Sequence, residues 1–146
     1  MKKFKFKLNK VLEVRELEEE EAQNKLLAEQ KKAREIESNI ISLEKSQEKL
    51  YQSIRDSEGK SMQENIAYRN FIQNNRQKIK ETERTLLIQE QEVFQSRENY
   101  LEKKKKKEVL EKIKEKEYKK YYTEFLIKEQ KELDEMALNM KGLEGV

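Results

Sequence analysis

Between Leu8 and Ile54 the chain repeats an apolar position at alternating intervals of four and three, the spacing of a heptad seam on an α-helix. The fourteen seam positions hold Leu8, Leu12, Arg15, Glu19, Ala22, Leu26, Glu29, Ala33, Ile36, Ile40, Leu43, Gln47, Leu50 and Ile54, and ten of them are apolar. This predicts a helix over about residues 6–55 with one buried stripe. Arg15, Glu19, Glu29 and Gln47, with the small Ala22 and Ala33, thin the N-terminal half of the stripe, so the firmest packing is expected near Ile54. Polar interruptions such as Glu29 and Gln47 are register devices more often than ligands.

The repeat stops at Asp56-Ser57-Glu58-Gly59-Lys60-Ser61. Gly59 is the only glycine before residue 142 and there is no proline, so here the backbone is invited to leave a helix. Ser61 with Glu64 three residues on forms an N-cap and capping-box pattern for a second helix over about 62–141. In it Ile72, Ile79, Leu86, Val93 and Tyr100 recur at sevens, Leu87, Phe94 and Leu101 widen the stripe, and Arg76, Glu83, Glu90 and Arg97 fall at the complementary positions. The seam is expected to fail at Lys103–Lys107. It resumes in a new register through Tyr122, Leu126, Glu129, Leu133, Met136, Met140 and Leu143, and Gly142 and Gly145 are expected to end the helix.

Charge order orients the two helices. Folding about Gly59 sets Glu16–Glu21 opposite about residues 97–102, at the edge of the five lysines. It likewise sets Lys2, Lys3, Lys5, Lys7 and Lys10 opposite Glu108, Glu111 and Glu115. A parallel dimer of first helices would stack Glu18–Glu21 on itself, which heptad flanks avoid. The fold class is therefore all-α: a long antiparallel two-helix coiled-coil hairpin, one domain over residues 1–146. On this register the first helix runs out near Lys3, opposite residue 115, and the C-terminal helix overhangs from Lys116. The overhang carries Tyr118, Tyr121, Tyr122 and Phe125, then Leu126, Leu133, Met136 and Met140. An amphipathic helix with such a stripe suits docking into a groove of another protein. The plainer alternatives are a dimer seam or a tail folded back on the hairpin.

Composition narrows the chemistry. Charged residues make up 43% of the 146 and hydrophobic ones 34%, too little apolar material for a globular core but normal for a helix pair with one buried stripe. The net charge of +3, from 33 basic and 30 acidic residues, is no polyanion-binding signature. There is no cysteine and no histidine, which removes thiol chemistry, the usual zinc ligands and the commonest acid–base catalyst. No enzyme activity, cofactor or metal is expected. The basic start lacks the continuous apolar run of a signal peptide, and no stretch approaches the roughly 20 apolar residues of a membrane span, so a cytoplasmic location is expected.

Two motifs are set aside. Gly59-Lys60-Ser61 looks like the end of a phosphate-binding loop, but Ile54 occupies the required glycine position and no strand precedes it. Lys103 to Lys120 carries ten lysines against four glutamates. A solvated face with acidic counterparts on the other helix explains that excess better than phosphate or lipid binding, so nucleic acid is not expected as a partner.

Three stretches carry a family resemblance: Phe4-Lys5-Phe6-Lys7-Leu8 followed by Val11, Leu12 and Arg15; Tyr68-Arg69-Asn70-Phe71-Ile72; and Glu129-Gln130-Lys131-Glu132-Leu133-Asp134-Glu135-Met136-Ala137. In order and spacing the chain resembles the flagellar export protein FliJ family of the flagellar type III secretion apparatus. The resemblance implies a stalk similar to the central stalk of rotary ATPases, entering the hexameric ring of the export ATPase. It also implies contact with the cytoplasmic domain of the export-gate membrane protein, escort of export chaperones, and a place peripheral to the inner face of the cell membrane at the flagellar base. Phe71 matches a gate-contacting aromatic of the family, with Tyr51 and Ile72 on the same candidate surface. Asn75 stands where an aliphatic is expected. The overhang argument, independently of the family, nominates Tyr122, Phe125, Leu126 and Leu133 as the ATPase-binding residues. The rival reading is a structural coiled-coil scaffold that dimerises through its C-terminal helix without an ATPase partner.

Overall fold

A computed structural model describes residues 2–56 and 61–144, the side chains of Leu143 and Glu144 excepted. Two helices account for nearly all of them: α1, Asn9–Asp56, and α2, Met62–Glu144. They pack against each other as an all-α two-helix hairpin, with no strand among the described residues. Of the turn foreseen at 56–61, residues 57–60, Gly59 included, lie outside the described residues. The cap beyond them is in place: the Glu64 amide donates to Ser61 Oγ at 3.3 Å, satisfying one of the helix's orphan N–H groups. Gly142 does not stop α2, because it lies inside a helix that continues to Glu144; Gly145 lies outside the described residues.

The chain divides into two units, Glu20–Leu101 and Met1–Glu19 with Glu102–Val146. In the unit Glu20–Leu101, the heptad reading of α1 holds at every seam position. Ala22, Leu26 and Ile40 are buried, and Glu29, Ala33, Ile36, Leu43, Gln47, Leu50 and Ile54 are half-buried. The expectation of firmest packing beside the turn is overturned, since the most buried residues lie toward the other end. Helix axes approach as closely as the contact side chains allow, and Ala22 and Ala33 allow a close approach where larger residues would hold the helices apart.

On α2 the positions at sevens, Ile72, Ile79, Leu86, Val93 and Tyr100, are half-buried as foreseen. The complementary positions are not Arg76, Glu83, Glu90 and Arg97, which are exposed; they are Asn75, Thr82, Gln89 and Ser96. A repeat of seven is compatible with a partner position three or four residues later, and the chain takes three. Leu87 and Phe94 consequently lie outside the seam, 62% and 61% exposed.

Several polar seam residues hydrogen-bond across it. Asn75 Nδ2 donates to the Leu43 carbonyl at 3.2 Å, and Gln89 Nε2 donates to the Glu29 carbonyl at 3.0 Å and to the Glu29 carboxylate. Tyr51 OH accepts from Gln47 at 3.2 Å and from Arg76 at 2.6 Å. Glu29 thus meets α2 directly, whereas Gln47 bonds within α1 to Tyr51, whose hydroxyl is the group that reaches Arg76 of α2.

Replacing Gln89 by Ala leaves the half-buried Glu29 carboxylate without its cross-helix donor and should lower stability by about 1–3 kcal/mol. The double change Glu29→Leu with Gln89→Leu removes both polar partners and should recover most of that loss. Urea unfolding followed by far-UV circular dichroism measures both variants.

Candidate functional site

The unit formed by Met1–Glu19 and Glu102–Val146 holds the candidate ATPase-binding residues. Helix α1 begins at Asn9 rather than near residue 6, and residues 2–8 form a non-helical arm. The reason is visible in Lys3-Phe4-Lys5-Phe6-Lys7, where apolar and basic residues alternate with the period of an extended chain. Phe6 is buried, and the Phe4 ring sits edge-on to Tyr118, with centroids 5.3 Å apart, and 5.5 Å from Tyr121. Tyr121 OH donates to the Lys2 carbonyl at 2.6 Å. The overhang therefore does not begin at Lys116. An extended residue spans roughly twice the length of a helical one, so the arm reaches farther along α2 than a helix of the same residues would.

Of the four nominated residues, Phe125 is half-buried beside Tyr121, with ring centroids 6.4 Å apart. Tyr122, Leu126 and Leu133 are exposed, at 49%, 47% and 60%. Tyr122 stacks along the helix on Tyr118, with centroids 6.4 Å apart. Met136 and Met140 extend the same heptad stripe and are exposed as well. The arm packs on Tyr118 and Tyr121, of which Tyr121 is half-buried and Tyr118 is still 49% exposed, and the Tyr122–Met140 stripe has no contact with it among the ring contacts of the described residues. Lys2, Lys3, Lys5, Lys7 and Lys120, with Glu117 and Glu124, rim a groove of about 950 Å³ beside the arm.

The lysine run does not interrupt α2. Lys103 and Lys107 take the next two seam positions and meet α1: Lys103 Nζ lies 3.9 Å from the Glu18 carboxylate, and Lys107 pairs with Glu19. The acidic cluster thus lands on the lysines themselves. The second expected set of cross-helix pairs is corrected, because Glu111 pairs along its own helix with Lys107 at 3.7 Å and Glu115 with Lys119 at 3.2 Å. Arg15 donates to the Glu18 carboxylate at 3.0 Å and holds the Glu18 pKa below the ordinary glutamate value, with Lys103 and Lys106 adding to the effect. Glu19, then Glu111, push the Lys107 ammonium above the ordinary lysine value.

In the unit Glu20–Leu101 the candidate gate residues separate by exposure. Phe71 is 66% exposed and lines a depression of about 310 Å³ with Asn74, Gln77, Lys78 and Glu81. Ile72 is half-buried in the seam. Tyr51 is half-buried, and the Gln47 and Arg76 donors to its hydroxyl hold its pKa below the ordinary tyrosine value. Asn75 lines the same depression and is at the same time a half-buried seam residue. Its amide is committed to Leu43. The Tyr51–Arg76 bond carried no signal in the sequence, whereas the alternation in the arm could have announced its extended path.

Among the described residues there is no group of acidic side chains arranged to hold a metal ion, and no helix is long and apolar enough to cross a membrane. Side chains converge on the helix–helix seam, and the exposed apolar stripes face outward. The fold defines an antiparallel coiled-coil protein with exposed apolar stripes. Residues 4–141 match the sequence model of the family described as flagellar FliJ protein, and no curated protein or solved structure matches. The chain belongs to the flagellar FliJ family and is a component of the flagellar export apparatus.

Of the three shifted groups, Glu18 and Lys107 lie together at the meeting of the acidic cluster with the lysines, and each carries a pH dependence. The folded-state pKa of Glu18 is depressed, so its contribution is present above the ordinary glutamate pKa and disappears as pH falls through the depressed value. The folded-state pKa of Lys107 is raised, so its contribution is present below the ordinary lysine pKa and disappears as pH rises through the raised value. In a side-chain carboxyl NMR titration Glu18 should protonate at lower pH than the exposed glutamates, and Arg15→Gln should move it back toward them.

Proposed function

We propose that this chain is a non-enzymatic stalk that binds and activates the flagellar export ATPase hexamer and couples it to the export gate. The observation that carries the reading is the heptad stripe Tyr122, Leu126, Leu133, Met136 and Met140, left open beyond the aromatic residues that the arm packs. A helix face of this kind fits into an apolar groove, and the lysines around it supply steering rather than specificity. Phe125, supported by Tyr121, completes the ATPase-binding surface. Phe71, with Ile72 and Tyr51 behind it, serves the cytoplasmic domain of the gate protein, and the chain escorts export chaperones. It works in the cytoplasm, peripheral to the membrane through its partners.

ATP hydrolysis by the cognate export ATPase tests the first contact. Wild-type chain should stimulate turnover, and Tyr122→Ser with Leu126→Asn and Leu133→Asn should remove most of the stimulation. Those side chains are exposed, so the helical signal of the variant should be unchanged. Stimulation that survives the triple change sinks this surface. A version ending after Phe125 is a cleaner truncation than one ending after Glu115, because it keeps the contacts of the arm. For the gate, Phe71→Ala should weaken binding to its cytoplasmic domain by about tenfold or more. Asn75→Ala should act on the stability of the hairpin instead.

A further inference from the structure

We propose that the arm is an unpaired strand edge that takes up an extended acidic segment of another protein by strand addition. The alternation that makes the arm extended also sorts its side chains: Phe6 is buried and Phe4 half-buried, whereas Lys3 and Lys5 are exposed. Most of its backbone is unpaired as well. The Lys2 carbonyl accepts from Tyr121 and the Phe6 carbonyl from the Asn9 amide at 3.2 Å, but among the described residues no N–H or C=O of Lys3, Phe4 or Lys5 is hydrogen-bonded within the chain. Such a row of donors and acceptors is a template for a further strand. The packing of Phe4 on Tyr118 and Tyr121 holds the template in place, so a partner does not have to order it.

Charge and spacing commit the edge to an acidic peptide. The five lysines that rim the groove beside the arm outnumber its two glutamates, and none of the five has an ion-pair partner within 4.0 Å among the described residues. On an extended chain, side chains two residues apart stand about 7 Å apart on the same side. Lys3 and Lys5 therefore face every second residue of an added strand, where opposite charge is favoured. The residues in between turn toward Phe4 and Tyr121, which line the groove, and are best apolar.

Other occupants fit less well. The arm of a second copy would set lysines on lysines, and lysines on a bare strand guard against that pairing. A helix has its backbone groups already bonded and leaves those of the arm unmatched. Phosphate groups of a lipid or nucleic acid accept from N–H groups but offer no donor to the carbonyls, and they would also meet Glu117 and Glu124. The fitting partner is an extended segment in which acidic and apolar residues alternate. The edge shares no residue with the Tyr122–Met140 stripe, and the inference does not depend on the stalk reading.

The test uses the full chain and a fluorescein-labelled peptide in which glutamate and valine alternate, with binding read as fluorescence anisotropy. Saturable binding is expected. Lys3→Glu with Lys5→Glu, at exposed positions that leave the helical signal unchanged, should weaken it by about tenfold or more. Phe4→Ala keeps every charge but releases the arm from the tyrosines, and it should weaken binding too. N-methylation of alternate peptide amides removes backbone donors without changing charge and should reduce affinity about tenfold. A peptide of the same composition with its glutamates in one block should bind about tenfold more weakly or worse. Absence of binding overturns the inference. So does a blocked or N-methylated peptide that binds as well as the alternating one, which would leave charge alone at work. Phosphatidylglycerol vesicles or an oligothymidylate that bind more tightly than the peptide, and are lost on the same double charge reversal, would make the arm a phosphate-binding surface instead.

Discussion

The other features hang on the polar half of α2's seam. Down that helix each apolar layer, Ile72, Ile79, Leu86 or Val93, alternates with Asn75, Thr82, Gln89 or Ser96, and farther along with Lys103 and Lys107. A seam so built gains less from burial than one of leucine and isoleucine, but it has a definite register. An amide or ammonium half-buried between helices is costly unless its partner stands opposite, and Glu29, the Leu43 carbonyl, Glu18 and Glu19 stand opposite. Sliding α2 by one turn would keep aliphatic layers in contact while stranding these groups. Specificity of register comes from the polar layers and attraction from the apolar ones.

That division of labour leaves much apolar surface outside the seam. Where one half of the seam is polar, residues such as Leu87, Phe94 and Leu101 are not drawn inward, and they remain in water as ordered stripes. The open stripe of the C-terminal segment, the exposed Phe71 and the Phe94 groove occupy distinct parts of the two helices. Their chemistry differs too: an aromatic-aliphatic ridge, a single aromatic in a polar setting, and a groove lined by charges of both signs.

The arm illustrates how a few residues redirect a surface. Phe4 and Phe6 face inward because an extended strand alternates its side chains, and Lys3, Lys5 and Lys7 are thereby turned to solvent. The three tyrosines from 118 to 122 are consequently of two kinds. Tyr118 and Tyr121 touch the arm, and among the described aromatic rings Tyr122 touches only that of Tyr118 on its own helix.

The sequence by itself determined both helices, the α1 seam from Leu12 to Ile54, the sevens on α2, the N-cap at Ser61 and the meeting of acidic cluster with lysine run. These follow from local spacing and charge order, which the chain carries wherever it folds. Only the tertiary structure decided which flank of α2 faces α1, for a repeat of seven is indifferent between a partner position three residues on and one four residues on. That choice turned Asn75 and Gln89 inward and left Phe94 outside. It also decided how far the arm reaches, because an extended segment and a helix of equal residue count differ about twofold in length. Periodicity fixes a stripe, and the axis of the neighbouring helix fixes which side of the stripe is core.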